Sequence, residues 1–296
     1  MLARGRSGYL AWRVHFPEAD VSSNTIEVRP LSGAGGAEVR GVDLGSELDE
    51  AALGAIRAAY LQHIALFFPE QTLNAAQIER FMRGFGDPLV HPYLHAVSGS
   101  QYVHELRKEP TQTVNFGNGW HADFTFLEKP SSANALYARE VPDFGGDTMF
   151  LNTVMAYDAL SPGMKRMLGG MRAVHRVHPR YLTDVDTMAN RKGEQIKGEY
   201  IHPCIRIHPE TGRKVLYINP SFVPQFEEMT EAESRPILDF LTQFMAQPEF
   251  QIRYRWRPDT FGFWDNRCSL HTALNDYQGH RRVMHRMVVL EPSRPV

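Results

Sequence analysis

Cysteine is almost missing from this chain. Its 296 residues include two, Cys204 and Cys268, far apart and in no Cys-x-x-Cys pattern. That excludes a disulfide scaffold and a zinc ribbon, and it fits a reducing compartment. An excess of one charge is missing too. Lys and Arg total 32 against 34 Asp and Glu, a net charge of −2, so no nucleic-acid partner is expected. No stretch approaches the ~18 apolar residues of a membrane span. The first twenty residues are basic at first but lack the apolar centre of a signal peptide. A cytoplasmic protein without a membrane partner is therefore expected. Ser32-Gly33-Ala34-Gly35-Gly36-Ala37 is glycine-rich but lacks the Gly-Lys-Ser/Thr of a phosphate loop, and it reads as a turn. Internal repeats, low-complexity tracts and interdomain linkers are absent as well.

What is present is apolar material: 43% hydrophobic residues, with 11% aromatic, enough for a sizeable core. Residues 1–25 read as an N-terminal extension and 26–296 as one domain. A short strand is expected at Ile26–Pro30. Asp49 caps a helix to about Gln62, and Asn74 caps another from Ala75 to Phe85. His63–Phe68 reads as a buried strand. From Val114 the pattern is mainly of strands, at 119–126, 133–139, 146–151, 201–208, 214–219, 251–256, 260–264 and 282–290. A helix over 153–171, breakable at Ser161-Pro162-Gly163, interrupts them. Thr230 and Glu233 form a capping box for a second, ending near Ala246. The charged, aperiodic stretch 180–200 reads as a loop able to act as a lid. Many short strands with helices at one end predict an α+β protein built on a β-sandwich or barrel.

The chemistry concentrates in Trp120-His121-Ala122-Asp123-Phe124-Thr125-Phe126. The alternation is that of a half-buried strand, which would put His121 and Asp123 on one face. Imidazole and carboxylate make two ligands for a divalent metal. His271, beyond Phe263-Trp264-Asp265-Asn266-Arg267, is the best third. Two His and one carboxylate suit non-haem Fe(II) and leave three coordination positions open. By themselves the same residues serve equally well as hydrogen-bonded core groups. His208-Pro209-Glu210 also fits His-x-acid, but Thr211-Gly212 follows, so it reads as a hairpin turn.

Near the C-terminus, Arg282 and Arg286 lie four apart and so share one side of a strand with Met284, Val288 and Leu290. Arginine forks grip carboxylates and sulfonates, so the pair suggests a site for two small anions. The plainer account is a charged edge strand that discourages aggregation, but the mixed face is more typical of a pocket.

His121-Ala122-Asp123, Gly145-Gly146-Asp147-Thr148, Trp264-Asp265-Asn266-Arg267 with His271, and Arg281-Arg282-Val283-Met284-His285-Arg286 together resemble the taurine/2-oxoglutarate dioxygenases. That family includes the 2,4-dichlorophenoxyacetate dioxygenases. The likeness runs from about Ile26 to about Val289. It implies a double-stranded β-helix (jelly-roll) core with flanking helices. It implies Fe(II) held by His121, Asp123 and His271, with 2-oxoglutarate and O2 as co-substrates. Arg282 and Thr148 match the residues that bind the distal carboxylate of 2-oxoglutarate. His91 and Arg286 match the pair that holds the substrate anion, Tyr93 a nearby tyrosine one residue out of step, and Phe222 a pocket aromatic. Where the taurine enzymes carry an asparagine four residues before the first iron ligand, this chain has Gly117. Asn115 or Asn118 would have to replace it.

The implied reaction is hydroxylation of a small organic anion, taurine or a related alkylsulfonate, with release of sulfite, aldehyde, succinate and CO2. The alternatives within the family are aryloxyalkanoate and alkyl-sulfate dioxygenases. Outside it stands a metal-binding jelly-roll protein without redox turnover, against which Arg282 and Thr148 argue. A zinc hydrolase lacks an evident general base. A homo-oligomer, dimer or tetramer, is expected.

Overall fold

The computed structural model describes residues 26–92, 94–177 and 198–296. The expected N-terminal extension, Tyr93 and nearly all of the expected lid lie outside the described residues.

A hairpin opens the fold, β1 (Glu27–Ser32) and β2 (Gly35–Arg40), with the glycine-rich segment as its turn. Helix α1 (Glu50–His63) starts where Asp49 accepts from the Ala52 N–H. Strand β3 (Ala65–Phe68) follows it, paired parallel to β2. Helix α2 (Ala75–Met82) has a reciprocal cap between Asn74 and Gln77, and a 3-10 turn at Arg83–Phe85 ends it. Short β4 (Asp87–Pro88) and β5 (His104–Lys108) lead to the long β6 (Ser131–Glu140) and then β7 (Thr148–Asn152). The helix expected over 153–171 is two, α3 (Thr153–Ala159) and α4 (Pro162–Leu168), because Pro162 can start a helix but not continue one. Strands β8 (Arg172–Arg176), β9 (Glu199–Pro203), β10 (Ile205–Ile207), β11 (Lys214–Leu216) and β12 (Gln225–Phe226) precede α5 (Glu231–Met245), with Thr230 and Glu233 boxed at its start. The chain ends in β13 (Gln251–Tyr254), β14 (Phe261–Asp265), β15 (Ser269–Ala273) and β16 (Arg282–Leu290).

The major sheet runs β1-β2-β3-β14-β6-β16-β4, with β5 also on β16, and a second sheet runs β13-β7-β15. The two sheets face each other through aromatic contacts. Phe67 of β3 stacks on Tyr254 of β13 at 3.6 Å, and Trp264 of β14 meets Phe150 of β7 at 5.3 Å. Strand alternation turns Phe261 and Phe263 the other way. There Phe263 stacks on Tyr60 of α1 at 4.8 Å, and Phe261 meets Phe81 of α2 edge-on. Truncating Phe263, fully buried, to alanine should cost ~3–5 kcal/mol. Sheet on sheet with helices outside is the jelly-roll architecture, and β16 carries its arginines into the gap between the sheets.

One expectation fails at the centre. Residues 119–126 form no strand. His121 makes a single antiparallel bridge to His271, and the chain then turns. Gly117, Gly119 and Phe124 have positive φ, and the Leu127 N–H closes back on the Phe124 carbonyl at 3.0 Å. Three left-handed residues within eight positions cannot continue an extended run. The apparent strand alternation therefore misstates how His121 and Asp123 come together.

Candidate metal and anion site

The bridge to β15 sets the His121 and His271 rings side by side, centroids 4.1 Å apart. The turn then brings Asp123 round. Its Oδ1 lies 3.8 Å from His121 Nε2 and its Oδ2 lies 3.7 Å from His271 Nε2. These spacings are short enough for one divalent ion to reach all three donors at ~2.0–2.2 Å. His121 Nδ1 is 2.8 Å from the Gly119 carbonyl, which places the proton there and leaves Nε2 for a metal. Burial pushes His271 well below the ordinary imidazole range, so it is neutral and able to ligate. Burial also raises the Asp123 carboxyl, but the charge of Arg286 outweighs this and brings it down to about 2. All three residues are buried.

Asp123 is held by a residue that sequence reading quoted only as part of a motif. Asn266 accepts from the Asp123 N–H at 2.9 Å and donates to the Asp123 carbonyl at 3.0 Å. The same amide ties in Asn134 and the Ser131 carbonyl. Its neighbour Asp265 is equally occupied. Arg267 reaches it through Nε at 2.8 Å and Nη2 at 2.6 Å, and His208 Nε2 lies at 2.9 Å. The His208, Asp265 and Cys268 side chains also lie close enough for a metal. Arg267 already fills the carboxylate there, so that trio is a structural ion network, and His208 opens the β10–β11 hairpin turn that its sequence predicts.

Arg282 and Arg286 share one face of β16 and line a single cavity with the triad and Thr148, about 420 Å3 of atom-free space counting its open side. Arg282 is 8% exposed, and its Nε and Nη2 have no hydrogen-bond partner among the described residues. A buried guanidinium with open donors is costly until an anion completes it. Thr148 Oγ1 accepts from Trp256 Nε1 at 2.8 Å, which leaves its own hydrogen for a second acceptor. The Gly-Gly-Asp before it has a steric reason. At Gly146, φ +68°, a Cβ would come within 3.3 Å of Arg282 Cδ, and at Gly145, φ +73°, one would strike the Asp276 carbonyl at 2.7 Å. The donor set and the two open arginine nitrogens thus fit iron with a chelating dicarboxylate beside it.

In the same cavity, Arg286 Nη2 makes a charge contact with Asp123 Oδ2 at 2.6 Å, and Arg286 Nη1 lies 3.5 Å from His91 Nε2. His91 is buried, its ring 5.5 Å from that of Phe124. Phe222 stands one layer back, against Phe126, and does not line the cavity. Tyr93 lies outside the described residues. Neither asparagine replaces the one absent at Gly117. Asn115 donates to the Ala273 and Leu274 carbonyls and faces a neighbouring cavity, and Asn118 is exposed. A Cβ at Gly117 would meet the His121 ring at an ordinary contact distance of 3.4 Å, so it is the left-handed backbone, φ +83°, rather than space that favours glycine there.

A jelly roll with two imidazoles and a carboxylate at the mouth of its sandwich, flanked by buried arginines, defines a non-haem iron oxygenase of the 2-oxoglutarate-dependent class. The chain belongs to the family described as taurine catabolism dioxygenase TauD, TfdA, whose model matches residues 27–288. It is 31% identical to an alkylsulfatase of Acinetobacter baylyi over 272 residues, 89% of this chain and 84% of that one. It is 32% identical to an (S)-phenoxypropionate/alpha-ketoglutarate-dioxygenase of Sphingobium herbicidovorans, over 92% and 97% of the two chains. Among solved structures, a putative alpha-ketoglutarate-dependent taurine dioxygenase from Burkholderia xenovorans superposes with a TM-score of 0.80 at 34% identity, covering 92% of this chain and 94% of that one. As a member of this family the chain is an oxidoreductase that uses Fe(II), 2-oxoglutarate and O2.

Proposed function

We propose that this enzyme hydroxylates a small organic sulfonate or sulfate ester at the carbon bearing the anionic group. The observation that carries the reading is the pair of buried arginines on one strand face, both lining one cavity with the triad. Arg282, with Thr148, is open for the distal carboxylate of 2-oxoglutarate. Arg286 would take the substrate anion, with His91, which does not itself line the cavity, 3.5 Å behind its Nη1 as support.

Each residue's task follows from its surroundings. His121, Asp123 and His271 would hold the iron, with Asn266 and the Gly119 carbonyl keeping two of them in place. Arg282 and Thr148 orient the co-substrate by its far end, so that its keto acid end points at the metal. Arg286 orients the substrate by its anion, leaving the adjacent C–H bond towards the same point. Apolar walls, among them Leu106, Leu136 and Trp264, limit water around the reacting carbon. Iron, 2-oxoglutarate and O2, when bound together, supply the oxidant that turns a C–H bond into C–OH while 2-oxoglutarate becomes succinate and CO2. A carbon carrying both hydroxyl and sulfonate then sheds sulfite and becomes an aldehyde; a sulfate ester sheds sulfate.

Among the described residues lining the cavity, Asp123 is the one side-chain carboxylate, and no side-chain amide is present. An ammonium group on the substrate therefore has no side-chain acceptor of its own there. Alkylsulfonates and alkyl sulfates without an amine suit this cavity at least as well as taurine. The buried thiols of Cys204 and Cys268 form no disulfide, in keeping with a cytoplasmic enzyme. No helix among the described residues is long and apolar enough to cross a membrane.

The test is succinate release by Fe(II)-loaded protein with 2-oxoglutarate and a panel of taurine, propanesulfonate, hexyl sulfate and phenoxyacetate. A sulfonate or sulfate should stimulate it well above the substrate-free rate. Stimulation by phenoxyacetate alone would move the assignment to the aryloxyalkanoate enzymes, and stimulation by none would overturn the reading.

A further inference from the structure

Arg282 faces two cavities. The first holds the triad. The second, about 400 Å3 counting its open side, lies behind Leu106 and Phe116, which line both. Lys108, 5% exposed, lines this second cavity. It is the residue directly opposite Arg282 in the β5–β16 ladder, so the two side chains leave the sheet on the same face.

Two buried cations thus flank one space. Neither has a carboxylate within ion-pair distance among the described residues. Asp147, whose charge reaches Arg282, spends one oxygen on Arg253 at 2.6 Å. Lys108 Nζ has the Gln278 amide oxygen at 3.5 Å and the Tyr277 ring face at 4.3 Å. Packing on Tyr277 accounts for the position of the lysine stem. It does not account for a second positive charge set directly opposite the first with no carboxylate bonded to either, because like charges repel. An anion between them resolves both costs.

We propose that Lys108 and Arg282 form a two-cation grip on the distal carboxylate of 2-oxoglutarate, with Lys108 a binding residue beside the arginine. This rests on the reading that Arg282 receives that carboxylate. Arg282 supplies directional donors and Lys108 supplies charge from the second cavity.

The experiment is anaerobic calorimetry on the full-length, Fe(II)-loaded protein, so that binding is read without turnover. The titrants are 2-oxoglutarate and pyruvate, which keeps the keto acid but lacks the distal carboxylate. Lys108→Met should weaken 2-oxoglutarate about thirtyfold or more, the usual order for losing one partner of a buried charge contact, and leave pyruvate unchanged. Lys108→Arg should restore most of the affinity. Lys108→Gln is the second variant should methionine disturb the packing on Tyr277. Wild-type affinity for 2-oxoglutarate in both neutral variants would overturn the proposal, as would equal weakening of 2-oxoglutarate and pyruvate, the mark of a structural role. Arg282→Met separates the two levels. If it weakens 2-oxoglutarate while the Lys108 variants do not, the arginine reading stands and the lysine's role falls. If it has no effect either, the underlying assignment of Arg282 fails.

Discussion

Arg286 Nη2 lies 2.6 Å from Oδ2 of Asp123, with both side chains buried. One carboxylate therefore faces a guanidinium and, once metal binds, a divalent ion. The local charge is then −1 against +3, until a second anion arrives. A substrate anion on Arg286 relieves that excess, so metal and substrate should help each other bind.

Fe(II) affinity, measured anaerobically by calorimetry, should rise about fivefold or more with a saturating alkylsulfonate present, the low end of typical coupling between two sites. Arg286→Ala should remove the effect. An unchanged metal affinity in the wild type would mean that Asp123 and the substrate site do not communicate through Arg286.

Arg286→Ala should also raise the apparent KM for the sulfonate by about thirtyfold or more, since truncating one partner of a buried charge pair costs ~2–5 kcal/mol. Substrate-free decarboxylation of 2-oxoglutarate should persist. His91→Ala should act in the same direction and combine less than additively with it, because the two side chains meet at 3.5 Å. Full additivity would place them on different groups. Loss of 2-oxoglutarate binding in Arg286→Ala would show that the two arginines serve the opposite anions.

Asn266→Ala removes both bonds to the Asp123 backbone and strands two buried peptide groups. Metal affinity should drop ~10–100-fold, as for residues that only support a ligand. Stability should fall by ~2–4 kcal/mol in denaturant titration. Metal binding at the wild-type level would mean that the turn holds Asp123 unaided.

Acid should weaken the fold through two histidines. Burial brings His202 down to about 4, and it pushes His175, stacked on Tyr217, well below the ordinary value. In the unfolded chain each titrates near ~6.5, so the unfolded state takes up protons first. The stabilisation is whole above pH ~6.5 and is lost as pH falls towards the folded value, about 2 kcal/mol by pH 5 from His202 alone. Urea unfolding at pH 7 and pH 5 measures it. His202→Gln, which keeps a donor for the Leu127 carbonyl 3.0 Å away, should flatten the profile. An unchanged slope would remove His202 from the account.

Much of the local structure was legible because its causes are local. Asp49, Asn74 and Thr230 cap helices by bonding the backbone N–H three residues on, and Pro162 restarts one. The placing of Arg282 and Arg286 on one face needs only the two-residue period of a strand. Strand β15, which carries His271, was missed because its five residues show no alternation: four are buried and the fifth partly so.

The sequence by itself determined which groups could do the chemistry, since His, Asp and Arg are the residue types that ligate a metal and grip an anion. Tertiary structure alone decided how they meet. His121 and Asp123 converge through a bridge and a turn rather than a strand, and Asn266 reaches Asp123 across 143 positions. Lys108 faces Arg282 across a ladder 174 residues long in sequence, 282 minus 108. Such contacts depend on which strands pair and in what register, and pairing is set by the burial of whole sheet faces, which no short window of sequence contains.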